Sequence, residues 1–594
     1  RTEVERTLCE VWEEVLGRER VGVADNFFSL GGDSILSLRL VSLLKARGLL
    51  LEVRDIFQAR TIESLVPRLR GVASEEKDVE PFALLSEAER RLFDEDVEDA
   101  YPLSALQAGM VFHTQLEEFS GIYHDIISDH VRFRWNRGAF EQALASCIAE
   151  HPILRTGFRL DGERPLQFVR RQGALPLQVE DLRAMSEQEQ EQHLASWTEA
   201  HKGYVFDWEH GPLFQIHVFL RSDESFQFTI SFHHAILDGW SRASLTTALY
   251  NRYESLLQGE TLQDEPVDRT YRRFIAAEQK LLADSEAKQF FASRLEEAPT
   301  RQVPRLKVAA ERQAGAPVRQ GVLRLEGLTP ISDRLIALSM SMGVAVQSVL
   351  LAVHYKVLSS LSGRDVAVSC VTQNGRPESE GAERGLGLFL NSLPLAMKVE
   401  PASWRELIQK TADLTSASVG YRGYPLARIQ QDLGVAFDEV TFNYTHYHVY
   451  NDMEAAGETQ LEVLESSGFE RTNFDFHVDI SRGLGRDVLF LAFVYNADLY
   501  EEGFVQRIGA YYLRAFEQLL EDLDAPHLAA PLLDESELSQ LRDSRNATVV
   551  AYDARPVQQQ IAEQAQRTPA SPAVVCGDVT LSYAELEARS NRLA

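Results

Sequence analysis

At 594 residues, 44% hydrophobic and 25% charged, the chain has an ordinary globular balance and is too long for one core, so about three or four domain-sized units are expected. Its 89 acidic against 60 basic residues leave a net charge of −29, and no basic stripe exists to neutralise phosphates, which excludes non-specific nucleic-acid binding as a function. No apolar run is long enough to span a bilayer and no signal peptide opens the chain, so no membrane partner is expected.

The N-terminal 70 residues read as a small helical unit. Thr2 and Glu5 have capping-box spacing, and Val4, Leu8, Val11, Trp12, Val15 and Leu16 then share one helical face. A loop ends in Leu30-Gly31-Gly32-Asp33-Ser34-Ile35, and a second helix runs from Ile35 through Leu38, Val41 and Leu44. A short apolar element (Val53, Ile56, Phe57) and a last helix from Thr61, which Pro67 is expected to shorten, close the unit. So few large apolar groups make a marginal core, which suits a role other than catalysis in a deep pocket. Taken alone, Ser34 is an ordinary serine at a helix start. The whole segment, however, resembles a peptidyl carrier domain, whose LGGxS serine accepts 4'-phosphopantetheine from coenzyme A. The resemblance implies Ser34 as the attachment point and a phosphopantetheinyl transferase as a partner. The glycines would leave the hydroxyl open, and free amides at the helix start would favour a phosphodiester anion. Asp33-Ser34-Ile35 is similar to a variant found in carriers that precede epimerisation domains, but none intervenes here.

Residues 71–97 read as a linker, with acidic runs (Glu75, Glu76, Asp78, Glu80; Asp94, Glu95, Asp96) around a short amphipathic piece. It is expected to be a solvated tether that lets the carrier move.

Farther on, Phe214, Ile216, Val218 and Leu220, then Phe226, Phe228, Ile230 and Phe232, alternate with other residues across the turn 221–225, which predicts a hairpin. After Gly239, Leu245, Ala248, Leu249, Tyr253 and Leu256 recur at helical spacing, with Ser241 as the expected N-cap. His233, His234 and Asp238 therefore sit where a strand ends and a helix has not begun. A histidine at a strand end is ordinarily structural. A metal site is not expected, because neighbouring strand residues point to opposite faces and His233 and His234 cannot easily chelate one ion. Base catalysis by one histidine, with its neighbour and the aspartate shaping the loop, fits better.

His233-His234-x-x-x-Asp238-Gly239 resembles the HHxxxDG motif of condensation domains of nonribosomal peptide synthetases, kin of chloramphenicol acetyltransferase. Other stretches resemble further motifs of that family in the same order. Tyr101–His113 is similar to the opening motif, in a form nearer to subtypes that take a D-configured donor. Glu150-His151-Pro152-Ile153-Leu154-Arg155 is similar to the second. Tyr271–Ile275 with Gln279, Gly387–Pro394, Tyr424-Pro425-Leu426 and Phe442-Asn443-Tyr444 are similar to later ones, with Ala277 where a Trp is usual and Gly423 where a His is common.

The resemblance implies a multi-domain fold: a small four-helix carrier bundle (1–70), the linker, and an α/β (α+β) condensation domain of chloramphenicol-acetyltransferase type. Its N-lobe would span 98–270 and its C-lobe 271–540, with a channel between them and His234 near the middle. Residues 541–594 resemble the start of an adenylation domain and hold no phosphate-binding loop, so the chain is expected to be an excised piece of something larger. The implied reaction is attack of an acceptor α-amine on a donor thioester, with His234, Asp238, His233 and Gly239 as site residues and Arg155 as the structural partner of Asp238. Gly239 would let the backbone approach the substrate closely. Whether His234 removes a proton, orients the amine or stabilises the oxyanion stays open. The implied partners are an upstream adenylation domain that loads the carrier and downstream adenylation and carrier domains that supply the acceptor. Alternatives are a dual epimerising and condensing domain, whose extra motif is met here only by His113 and Tyr123-His124-Asp125, and a recruitment platform without catalysis. A cyclisation domain would carry aspartates in place of the two histidines. Cys9, Cys147, Cys370 and Cys576 lack CxxC spacing and read as buried thiols of a reducing, cytoplasmic compartment.

Overall fold

The computed structural model describes residues 2–70, 78–117, 119–305, 318–379, 381–446, 461–483 and 488–594. Residues 71–77 of the expected linker, with Glu75 and Glu76, lie outside the described residues. The described chain forms two compact units, Arg1–Leu532 and Leu533–Ala594.

The first unit opens with helices α1 (Glu3–Leu16), α2 (Ser34–Ala46), α3 (Val53–Ala59) and α4 (Ile62–Leu65). Thr2 and Glu5 form the capping box that their spacing predicts. Pro67 falls in a short 3₁₀ turn, Val66–Arg68, that ends α4, because a proline cannot supply the amide the α-helix needs there. Trp12, Phe27, Leu40, Val41, Leu44 and Ile56 are sealed inside. Gly32 is required by this packing, since a Cβ there would collide with the Phe27 ring.

The larger body carries strands β1 (Val97–Pro102), β2 (His124–Arg132), β3 (Thr156–Arg159), β4 (Leu166–Arg170), β5 (Leu177–Asp181), β6 (Phe214–Leu220), β7 (Ser225–His233), β8 (Gln320–Leu325), β9 (Val366–Asn374), β10 (Leu390–Lys398), β11 (Val440–Thr445), β12 (Glu462–Phe469), β13 (Phe476–Arg482) and β14 (Leu489–Asn496). A five-stranded sheet has the order β12-β2-β7-β6-β5 and a six-stranded sheet the order β10-β9-β11-β13-β14-β8. Each backs its own core. Phe214, Ile216, Phe226, Phe228, Ile230 and Phe232 pack one with the helices Arg137–Glu150 and Gly239–Leu257. Val478, Ile480, Leu491 and Phe493 pack the other against the helices Val346–Ser362 and Glu502–Glu521.

The β6–β7 hairpin is present in the expected place. The chain also makes a crossing that periodicity did not signal. Between β11 and β13 of the second sheet it runs out to form β12, the edge of the first sheet, antiparallel to β2. The helical unit rests on the second lobe. Asn26 Nδ2 donates to Gly343 O (3.3 Å), Ser29 Oγ to Met340 O (2.5 Å) and Val53 N to Glu378 Oε2 (3.0 Å), and Arg60 lies 3.5 Å from Asp413.

The second unit has the helices Val557–Arg567 and Tyr583–Leu593 around the hairpin Pro572–Cys576 and Val579–Ser582. Cys9, Cys147 and Cys370 are buried as expected, but Cys576 is exposed, because it ends a strand of this small hairpin with no sheet packed over it. Among the described residues, no single helix is long and apolar enough to cross a membrane.

Candidate active site

The turn after β7 separates its two histidines as strand geometry requires. His233 lies opposite His124 on the side of the sheet away from the Phe-rich core, and is 1% exposed. Its Nδ1 accepts from Ala235 N (3.1 Å) and its Nε2 lies 3.0 Å from Thr114 Oγ1. Burial drives its pKa down to about 3. It is a neutral, doubly engaged ring. A cavity of about 640 Å³ opens on that same side, with Phe158, Tyr204, Phe206 and Trp208 in its wall beside His233, and His234 does not line it.

His234 turns the other way, onto the face of Phe232 and Asp125. Its Nδ1 lies 2.9 Å from Asp125 Oδ2 and is itself enclosed, while the side chain as a whole is 21% exposed. The accessible part of the ring is therefore the edge away from Asp125. Burial opposes the charge on this imidazole, but Asp125 outweighs it and holds the pKa up at about 9. Asp125 was not singled out as a site residue from the sequence. Its signal was the strand parity of Tyr123-His124-Asp125, which puts Asp125 on the face opposite His124.

Asp238 does not meet Arg155. Its carboxylate takes the N-cap role expected of Ser241, accepting from Ser241 N (2.7 Å), and it also accepts from Phe389 N (3.0 Å). Its cation is Arg376 of the second lobe, 3.2 Å away, with both side chains fully buried. Arg376 also donates to Ser241 Oγ (2.7 Å) and to Gly385 O (3.1 Å). Arg155 is committed elsewhere: it pairs with Glu98 (2.9 Å) and donates to Ile148 O (3.0 Å) at the end of the helix Arg137–Glu150. The correction has a simple cause. Arg155 is bound to the carbonyls at the end of its own helix, whereas the Asp238 turn presses against Gly387–Phe389 and takes its cation from that lobe. Gly239 opens the helix Gly239–Leu257 directly behind the clamp. No spacing rule could have joined Arg376 to Asp238 across 138 residues.

On the same face as His234 stand further acids from the second lobe. Asp479 of β13 accepts from Asn443 Nδ2 of β11 (2.9 Å), and burial holds its carboxyl up at about 6. Glu470, just past β12, is solvent-accessible yet has Asp125, His234, Asp479 and Arg242 about it. Both lobes thus place charged groups beside His234. No group of His, Cys, Asp and Glu among the described residues is arranged to hold a metal ion.

At the carrier end, Ser34 is exposed at the first position of α2. Asp33 Oδ1 accepts from Ile35 N (2.9 Å) and Leu36 N (2.8 Å), so two of the amides expected to face a phosphodiester are already taken. His446 of the second lobe lies 3.4 Å from the other Asp33 oxygen.

The family model of the condensation domain matches residues 97–542, and that of the phosphopantetheine attachment site matches residues 6–69. The chain belongs to the condensation-domain family. It is 31% identical over 546 residues to the AMB antimetabolite synthetase AmbE of Pseudomonas aeruginosa, covering 90% of this chain and 25% of that protein. It is 28% identical over 514 residues to tyrocidine synthase 3 of Brevibacillus parabrevis, covering 84% of this chain and 8% of that one. The chain thus spans a quarter or less of these relatives. In fold it is similar to the first condensation domain of the calcium-dependent antibiotic synthetase (TM-score 0.59, 18% identity, 74% of this chain and 100% of that one). It is also similar to the four-domain nonribosomal peptide synthetase AB3403 (TM-score 0.63, 16% identity, 83% and 38%). A phosphopantetheine attachment site thus precedes the condensation domain in this chain, with 4'-phosphopantetheine as the cofactor of that first domain.

Proposed function

We propose that this condensation domain joins a donor acyl or peptidyl thioester, carried on Ser34, to the α-amine of an acceptor aminoacyl thioester. The observation that supports this most is the split between the two histidines: His233 is sealed and neutral, and His234 is partly accessible, paired with Asp125 and flanked by charged groups of both lobes. The exposed hydroxyl of Ser34 and the small Gly31-Gly32 approach suit a modifying enzyme and the attached arm. When bound, that arm supplies the thiol that carries the donor and the reach to present it.

With its pKa near 9, His234 is an imidazolium at neutral pH. It then donates a hydrogen bond from its accessible edge to the donor carbonyl oxygen, which gains negative charge as the amine attacks. Asp125 keeps the ring charged and oriented. Asp238 and Arg376 act at a distance, fixing the turn against the second lobe. The partners in this reading are an upstream adenylation domain, a phosphopantetheinyl transferase, and downstream adenylation and carrier domains, in a cytoplasmic setting. Residues 541–594 would begin that downstream adenylation domain. Family membership and the intact His233-His234-x-x-x-Asp238-Gly239 stretch favour amide formation over an epimerising or non-catalytic role.

The test has two arms. Incubation with coenzyme A and a phosphopantetheinyl transferase should add one arm's mass to the wild type and none to Ser34→Ala. With the carrier loaded, His234→Ala should lower amide formation about 10²–10³-fold, the range seen when an oxyanion donor is removed, while leaving loading intact. Mass gain by Ser34→Ala, or full turnover by His234→Ala, would refute the assignment.

A further inference from the structure

The charge on His234 raises a chemical requirement. An imidazolium cannot accept the proton that the attacking amine must lose, so the acceptor of that proton has to be another group in the same site. We infer that Glu470 is this proton acceptor, a further catalytic residue delivered by the strand that crosses between the lobes. The inference rests on the proposed role of His234 as a donor to the carbonyl oxygen.

The crossing strand places it. Phe469 of β12 pairs with Ile126 of β2, where the ladder ends, and Glu470 is the next residue, at the level of Asp125; Tyr123 N donates to Arg471 O (3.0 Å), one residue out of that register, and ties the segment down. Phe469 turns to the face where Lys202 Nζ lies 4.9 Å from its ring, so the alternation puts Glu470 on the other, where its charge, that of Asp125 and that of His234 act on one another. Of the acids here, Asp125 is taken by His234 and Asp479 by Asn443. The Glu470 carboxylate makes no hydrogen bond or ion pair among the described residues.

The charges about it come from every neighbouring element: Asp125 of β2, His234 after β7, Asp479 of β13, Arg242 of the helix Gly239–Leu257, and Arg471, which lies 3.6 Å from Glu117. The protein packed around its accessible carboxylate and the charge of Asp125 raise its pKa, against the opposing pull of His234. A base with a pKa near the working pH is the most effective one. In the step itself, the amine nitrogen bonds to the donor carbonyl carbon and its excess proton moves to Glu470. The carbon–sulfur bond then breaks, and the departing thiolate takes that proton, which restores the carboxylate.

The experiment uses the full chain with a loaded carrier and two nucleophiles, an aminoacyl thioester and hydroxylamine, a weakly basic amine that needs little help to lose its proton. After subtraction of the uncatalysed reaction, Glu470→Gln should lower amide formation with the aminoacyl acceptor about 10²–10⁴-fold and leave the hydroxylamine reaction much less affected. Glu470→Asp, which keeps a carboxylate, should retain more activity than Glu470→Gln. In the apo chain, NMR titration of the His234 ring should show a lower pKa in Glu470→Gln, because a neighbouring negative charge has gone. Wild-type rates in Glu470→Gln, or an equal loss with both nucleophiles, would overturn the inference. Failure of the wild type to form any amide would instead refute the proposed function.

Discussion

At the scale of single residues, the site is a matter of parity. Two adjacent histidines on one strand have opposite fates because their Cβ atoms point to opposite faces. One is neutralised by burial; the other is charged by Asp125. Replacing that carboxylate should reveal the dependence. Asp125→Asn removes the strongest charge that offsets burial and leaves only the smaller pulls of Glu470 and Asp238, so the His234 pKa should fall from about 9, read by NMR of the ring, and amide formation at neutral pH should fall with it. The Asp238–Arg376 pair makes a different prediction. Both side chains are fully buried, so Arg376→Ala strands a carboxylate without a counter-charge and should destabilise the fold by about 3–5 kcal/mol. Removing both partners should cost less than removing Arg376 alone, measured by denaturant unfolding. Arg155→Ala should leave Asp238 paired, and so preserve the turn while loosening the end of the helix Arg137–Glu150.

At the scale of elements, β12 is the piece on which the site depends. It leaves the second lobe, adds an edge to the first sheet, and brings Glu470 to the level of Asp125. A proline on an edge strand removes ladder bonds without opening a core. Ser466→Pro should therefore lower amide formation strongly while the far-UV circular dichroism and the loading of the carrier stay close to wild type. Loss of helical and strand signal together would contradict that independence. The helical unit has its own logic. Its capping box, its glycine against Phe27 and its proline-ended α4 all arise from neighbours in sequence, whereas its contact with the second lobe combines the hydrogen bonds of Asn26, Ser29 and Val53 with Val419 and Ala345, which pack against its core.

At the scale of the molecule, the site couples stability to pH. The folded pKa of His234 is raised above its unfolded value, so its stabilising contribution is complete below about pH 6.5 and is lost as pH rises through about 9. The difference in melting temperature between wild type and Asp125→Asn should be largest in the acidic part of that window and shrink toward its alkaline end. A constant difference across the window would mean that Asp125 acts by packing alone.

Much of this architecture was legible from the sequence because it depends on neighbours along the chain. Period-2 patterning marked the β6–β7 hairpin, helical spacing and capping marked α1, and the motif order indicated the family that the condensation-domain match then showed. Strand geometry alone argued that the two adjacent histidines face opposite ways, as the β2–β7 pairing and the Asp125 contact then place them. What tertiary structure decided were the charges. Arg376, Asp125 and Glu470 reach the turn from a distant loop, a neighbouring strand and a crossing segment, and Arg155 is drawn off by the end of its own helix. Patterning records which face a side chain takes, but the field at a buried group is set by whatever else is folded against it. That sum exists only once both lobes have closed around the turn.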